Sequence, residues 1–443
     1  YTARRLQRKL RRREARITVI EPQPNMTYQP FLPEAAAGSL EPRHVVVSLR
    51  RTLRHCAVVT ARVTAIDHGR RVVTVAPSAG SPYQLGYDLV VVALGSVART
   101  LPIPGLAEEA IGFKHIEEAI ALRNRVLEQL DTASSVTDVD TRRRSLTFVV
   151  VGGGYAGVEA LAELEDMARY ASRYYETVAP ADMRWVLVEA SDRILPEVGA
   201  DLGRYTIDQL RRRNIEVLLS TRLESCLDGH VVLSDGQRFE AGTIVWTAGV
   251  TANPALADTD LPVDDRGRVV VRTTLAVDGV DGAWSAGDNA AVPDLTNPGH
   301  LCSPSAQHAI RQSKVLADNL VRTVRGRQPQ AYRHRHVGSV ASLGLHKGAA
   351  EIYGVKIKGS PAWLMHRTYH VSRMPTLNRK VRVVMDWALA LCFRRDVVSL
   401  GRLQSPRQAF ERAARRPIAA HRSDTTDHPE QVLALPTNRN RRC

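Results

Sequence analysis

Cysteine is scarce in this chain, and what there is lies scattered. Cys56, Cys226, Cys302, Cys392 and Cys443 form no C-x-x-C pair and no metal-ligand spacing. That excludes a disulfide framework, a zinc site and a relay of two neighbouring thiols, and it points to reduced cysteines in the cytoplasm. Long apolar runs are missing as well: no stretch of 18 apolar residues occurs, so no membrane-spanning helix is expected. The first residues are rich in arginine, have no apolar core segment and do not begin with Met. They do not read as a signal peptide, and Tyr1 reads as the first residue of a fragment. Acidic residues are the third shortage. The 46 Asp and Glu face 61 Lys and Arg, a net charge of +15, and between residues 331 and 416 the ratio is 4 to 17. Such a field suits an anionic membrane face or nucleic acid, and a solvated arginine-rich surface has the same composition.

What is present suffices for folding. With 443 residues, 44 % hydrophobic and 24 % charged, the chain has room for two or three domains with cores of their own. Ala3, Leu6 and Leu10 recur at helical spacing, residues 17–20 (Ile-Thr-Val-Ile) read as a buried strand, and Glu21 sits at its carboxyl end. A helix feeding a strand that ends in an acid is the second half of a dinucleotide-binding βαβ unit, where the acid accepts from a ribose hydroxyl. The first half, a strand and a glycine turn, does not precede Tyr1. Residues 17–117 alternate short β-like runs with turns, and 118–131 read as an amphipathic helix. The polar "DTASSVTDVDTRRRS" then marks a boundary. A second βαβ unit spans about 146–190, further strands run to 250, and 303–322 read as a long helix. The polar stretch beyond Arg416 is expected to be disordered. The expected fold class is α/β with parallel, doubly wound sheets.

The strongest local signal is "TFVVVGGGYAGVE", residues 147–159. An apolar strand runs into Gly152, Gly154 and Gly157 and then into a helix. Gly152 permits the tight turn, Gly154 lets a pyrophosphate approach the backbone, and Gly157 allows close helix–strand packing. The next strand, "RWVLVEA", ends in Glu189, further on than usual, so its crossover is lengthened. A carboxylate there accepts from a ribose 2′-hydroxyl and repels a 2′-phosphate by about 4 kcal/mol at ~4 Å, which favours NADH. The second signal is "GAWSAGDNAAVPD", where a short strand delivers Gly287 and Asp288. Paired with Glu21 and with the strand "YDLVVVALGS" that ends near Gly95, it implies one sheet for FAD interrupted by a second sheet for NADH.

From about residue 17 to 405 the chain resembles the type II NADH dehydrogenases, single-subunit NADH:quinone oxidoreductases. The likeness is carried by "MTYQPFLPEAAAGSLEP", "YDLVVVALGS", "VVVGGGYAGVEALAEL", "VLVEASDRILP", "IVWTAGVTANP", "AWSAGDNAAVP", "SPSAQHAIRQ" and the stretch from Pro361 to Leu400, in order and in spacing. The resemblance implies two Rossmann-like domains: an FAD part at 1–117 and 276–330, and an NADH part at 118–275. A membrane-docking and quinone-site region at 331–410 and a disordered tail at 411–443 follow. It places Gly249 at the nicotinamide end, and Glu159 between nicotinamide, flavin and quinone as a proton relay. Gln307 becomes the first Gln of a quinone motif and Lys347 a neighbour of the quinone head. Two departures stand out: Arg311 replaces the second Gln of that motif, with Gln312 one place late, and Leu94 stands where the family has Thr.

Residues 361–400 mix Trp363, Leu364, Met365, Trp387, Leu389, Leu391 and Phe393 with His366, Arg367, Arg379, Lys380, Arg382, Arg394 and Arg395. This is the composition of an interfacial helix on an anionic membrane surface, and a homodimer interface is compatible with it. The expected reaction is hydride transfer from NADH to FAD, then two electrons to a membrane quinone, at the cytoplasmic side and without proton pumping. One alternative is the same flavoprotein with a soluble acceptor, favoured by Arg311. Another is a non-enzymatic NADH sensor binding partners or nucleic acid; interleaved Trp, Leu and Phe fit lipid better than a phosphate track, so no nucleic acid is expected.

Overall fold

The computed structural model describes residues 1–11, 13–334, 338–393 and 395–399. The expected tail, residues 400–410 and Arg394 lie outside the described residues. Thr147–Val151 is buried along its whole length, as a strand covered on both faces must be. It is the centre of a five-stranded parallel sheet with the order Ala110–Gly112, Thr243–Trp246, Thr147–Val151, Arg184–Val188, Ile215–Leu218. Side chains alternate across it. Phe148 and Val150 face a core shared with Leu122, Val126 and Leu130 of helix Ile116–Ser135 and Leu161, Leu164 and Met167 of helix Tyr155–Ala171. Val149 and Val151 face the other way, onto Leu223, Val231 and Leu233 of a small antiparallel sheet.

A second core gathers residues distant in sequence. Val75 and Val92 meet Leu256, Val269, Leu275 and Trp284, and the helix Ala306–Val324 closes it with Leu316 and Leu320. The parallel strands here form three pairs, Thr18–Ile20 with Ala57–Val59, Val90–Val92 with Ala283–Ser285 and Val269–Val270 with Ala290–Ala291. Among the described residues no strand hydrogen-bonds one pair to another. The expected strand at 17–20 and long helix at 303–322 are therefore present, the helix starting at Ala306 because the Ser305 hydroxyl caps it by accepting from the His308 amide.

Residues Gly338–Ser342, Gly348–Ile352 and Val355–Lys358 form an antiparallel sheet, followed by helices Ser360–Arg373 and Leu377–Phe393. Among the described residues no helix is long and apolar enough to cross a membrane. The interfacial face expected for 361–400 needs correction. Trp363, His366, Arg367 and Arg395 are buried, and the half-buried Trp387 points its indole N–H at Glu34. The cause is charge: Glu34, Glu159 and Glu163 present carboxylates from the interior, and these cations turn inward to meet them. What stays exposed is an apolar row on the last helix: Leu377 at 76 %, Val381, Val384, Met385, Leu389, and Phe393 at 79 %.

Candidate functional site

The turn after Thr147–Val151 holds its shape through glycine. Gly152 adopts φ +113°, and a side chain there would strike the Thr247 backbone at 2.7 Å. A Cβ on Gly157 would lie 1.9 Å from the Gly152 carbonyl oxygen, so helix Tyr155–Ala171 can seat against the strand only through hydrogen. Gly154 is different: a Cβ there meets nothing within 4 Å. The same holds for Gly249 beyond the neighbouring strand and for Gly95 in the other half. These three glycines border open crevices at the carboxyl ends of parallel strands, where ligands of α/β sheets bind. Glu189 bends back over the loop. Its Oε2 accepts from the Gly153 amide at 2.5 Å, and Oε1 accepts from the Ser191 amide at 2.7 Å. An amide-lined, helix-capped crevice edged by a carboxylate fits a dinucleotide with a free 2′-hydroxyl.

The second crevice is built around Asp288. Its Oδ2 accepts from Ser96 Oγ at 2.8 Å, and Ser96 Oγ in turn accepts from Lys114 Nζ at 2.6 Å. Burial lowers the Lys114 pKa against the pull of Asp288 and Glu118. Gly287 takes φ +85°, and its amide donates to Gln312 Oε1 at 2.8 Å. Gly95 donates to Asn289 Oδ1, and Asn289 Nδ2 ties the two strands through the Val92 carbonyl. Glu21 sits at the end of the strand Thr18–Ile20, where burial raises its carboxyl pKa. Two acids at strand ends suit the hydroxyls of a flavin dinucleotide. Leu94 packs against the core of this half.

Glu159 lies one turn inside the glycine-loop helix and is buried. Its Oε1 accepts from the Ser342 amide at 2.8 Å and lies 3.1 Å from His366 Nε2. Gln307 donates from Nε2 to the Gly338 carbonyl, at the opposite end of the same strand. Four residues of strand separate those anchor points, about 13 Å. Lys347 lies in the turn after it, beside Gly348, which pairs with Ser342. The strand thus carries Glu159 and Lys347 near one end and Gln307 at the other. Arg311 is engaged by His334, Nη1 to Nδ1 3.1 Å.

Sequence reading missed several groups. Thr247 bonds the Val151 and Gly152 carbonyls, Asn289 braces two strands, and Gln312 holds Gly287. Asn289 follows Gly287-Asp288 directly, so that motif carried a signal for it. Nothing local marked His366, whose role comes from a fold contact over 200 residues long.

Among the described residues the four cysteines are unpaired. Residues 2–313 match the family model described as pyridine nucleotide-disulphide oxidoreductase. A probable NADH dehydrogenase of Dictyostelium discoideum is 29 % identical over 392 residues, 86 % of each chain. A type II NADH:quinone oxidoreductase of Mycobacterium tuberculosis is 28 % identical over 421 residues, 91 % of this chain and 88 % of that one. The structure of NDH2 from Plasmodium falciparum in complex with NADH matches with a TM-score of 0.82 at 17 % identity, covering 89 % of this chain and 97 % of that one. A sulfide:quinone oxidoreductase from Aquifex aeolicus matches with a TM-score of 0.68 at 16 % identity, covering 89 % and 93 %. The glycine loop, the acid-edged crevices and a match spanning most of the chain lead to one conclusion: this chain belongs to the pyridine nucleotide-disulphide oxidoreductase family.

Proposed function

We propose that the chain is an NADH:quinone oxidoreductase of the type II, single-subunit kind. The observation that carries this reading is the Gly152–Gly157 loop, clasped by Glu189, with buried Glu159 one turn further along the same helix. The names of the relatives from Dictyostelium and Mycobacterium support it.

In this reading Gly152, Gly154 and Gly157 cradle the NADH pyrophosphate, Glu189 takes the ribose hydroxyls and Gly249 leaves room at the nicotinamide end. Glu21, Gly95, Gly287 and Asp288 hold FAD. When bound, FAD supplies a hydride acceptor that then releases two electrons to a quinone. Glu159 relays a proton through its carboxylate, and Gln307 and Lys347 border the quinone. Residues 1–117 and 276–330 make the FAD part and 118–275 the NADH part, although Leu256, Leu261 and Val269 pack in the core of the FAD part. The exposed row from Leu377 to Phe393, flanked by Arg379, Lys380 and Arg382, rests on an anionic membrane surface at its cytoplasmic side.

The test is anaerobic. NADH added to the FAD-loaded protein bleaches the flavin absorption, and a menaquinone analogue in liposomes restores it. Bleaching without recovery moves the acceptor to a soluble partner, and no bleaching sinks the NADH reading.

A further inference from the structure

Three carboxylates are buried together where helices Leu32–Ala36, Tyr155–Ala171 and Ser360–Arg373 meet. Glu34 pairs with Arg367 Nη2 at 2.9 Å and Glu163 with Arg395 Nη2 at 2.9 Å. Both partners are guanidinium groups, which stay charged at any working pH. Glu159 is matched differently. Its cationic neighbour is His366, 2 % exposed, with Nε2 3.1 Å from Oε1. Among the described residues Glu159 makes no other ion pair. An imidazole can release its proton where a guanidinium cannot.

The surroundings of His366 suit that difference. Both of its ring nitrogens are buried without a well-aligned hydrogen bond, Nε2 meeting Glu159 as an ion pair, and its ring meets the His370 ring edge-on at 4.5 Å. The Tyr28 hydroxyl donates to the His370 carbonyl at 3.0 Å and lies 3.4 Å from His370 Nδ1. Burial opposes charging His366, but Glu159, Glu34 and Glu163 outweigh it and raise its pKa above the ordinary value. Burial and the neighbouring His366 hold His370 well below it. One imidazole is set to carry a proton, and the next is set to stay neutral.

The reaction needs such a proton. NADH brings two electrons and one hydrogen nucleus, while a quinol carries two new O–H bonds, so NADH + quinone + H⁺ gives NAD⁺ + quinol. We propose that the buried Glu159–His366 pair holds that additional proton, with His366 as the positioning residue that orients the Glu159 carboxylate between turnovers. On demand the N–H bond at His366 Nε2 breaks and an O–H bond forms at Glu159 Oε1. That O–H bond then breaks as the proton joins a quinone oxygen carrying the electron pair. His366 is left neutral until a proton returns from solvent.

This inference rests on the quinone reading above, so its test keeps the two apart. The first readout needs no turnover: the ring resonances of carbon-labelled histidines in the FAD-loaded full chain, titrated by NMR, with His366 assigned by its loss in H366Q. In Glu159→Gln the His366 midpoint falls by about one pH unit or more; an unmoved midpoint overturns the pairing. The second readout is stopped-flow. In His366→Gln, reoxidation by a menaquinone analogue slows at least ~tenfold and loses its pH dependence, while bleaching by NADH stays within about twofold. Equal slowing at every pH means a structural effect and overturns the proton role. Where wild-type protein fails to reoxidise with quinone, the acceptor reading falls and the titration still decides the pair. H366N replaces H366Q should the latter not fold.

Discussion

Glu189 Oε2 accepts the backbone N–H of Gly153 at 2.5 Å, so the acid ending one strand is clamped onto the loop ending its neighbour. The clamp sets both the loop's shape and the sign of charge at the ribose position. In Glu189→Gln the charge is gone, and a hydrogen bond to a charged acceptor is worth about 1.5–3 kcal/mol. NADH kcat/KM therefore falls about tenfold or more, and preference over NADPH narrows by a similar factor. Steady-state kinetics with both cofactors measure this; an unchanged preference would remove Glu189 from the ribose site.

Two glycines three residues apart in the loop should respond in opposite ways. A methyl on Gly157 lies 1.9 Å from the Gly152 oxygen and 2.6 Å from Thr247 Oγ1, with backbone and strand unable to yield. Gly157→Ala is expected to destabilise the fold by about 3 kcal/mol or more. A methyl on Gly154 meets open space at φ −73°, an unstrained conformation. Gly154→Ala keeps its melting temperature and raises KM for NADH, because the methyl occupies the space a pyrophosphate would use. Thermal unfolding and NADH kinetics on the pair separate the two roles. If both variants melt early, Gly154 is structural.

Much of this was legible in the sequence because it is local. The TFVVV strand and the glycine spacing are written within a few residues of where they act. The C-terminal helices show the limit. Trp363, His366 and Arg367 have the composition of a lipid face, and composition cannot reveal that Glu34 and Glu159 wait opposite them. A charged side chain turns toward the partner that neutralises it, and that partner lies more than 200 residues upstream. Arg311 is similar: its charge seemed destined for the quinone motif, and His334 engages it.

Glu34 serves two donors at once. Its Oε2 accepts from Arg367 Nη2 at 2.9 Å and Trp387 Nε1 at 2.7 Å, while the Arg367 guanidinium lies over the Trp363 and Trp387 rings at 4.0 and 4.7 Å. Glu34→Gln leaves a buried guanidinium uncompensated, and breaking such a pair costs about 3–5 kcal/mol. Glu34→Gln combined with Arg367→Met removes both charges and recovers part of that loss. Urea unfolding of the singles and the double gives the coupling; additive losses would mean that the pair does not hold the C-terminal helices.

The exposed row on helix Leu377–Phe393 makes the last prediction. Leu377, Val381, Val384, Met385 and Leu389 recur at helical spacing along one face, and Arg382 is exposed beside them. An isolated apolar row of this length in water is poorly accommodated unless something covers it. Lipid is the occupant that matches the flanking cations, and burying one such side chain is worth about 1.5–3 kcal/mol. Val384→Asp with Met385→Glu adds two negative charges as well, so binding to vesicles containing anionic lipid falls at least ~tenfold. Co-sedimentation measures it, and bleaching by NADH in solution serves as the control because neither residue approaches the glycine loop. Unchanged vesicle binding, together with a loss of dimer by light scattering, would hand this face to a second copy of the chain.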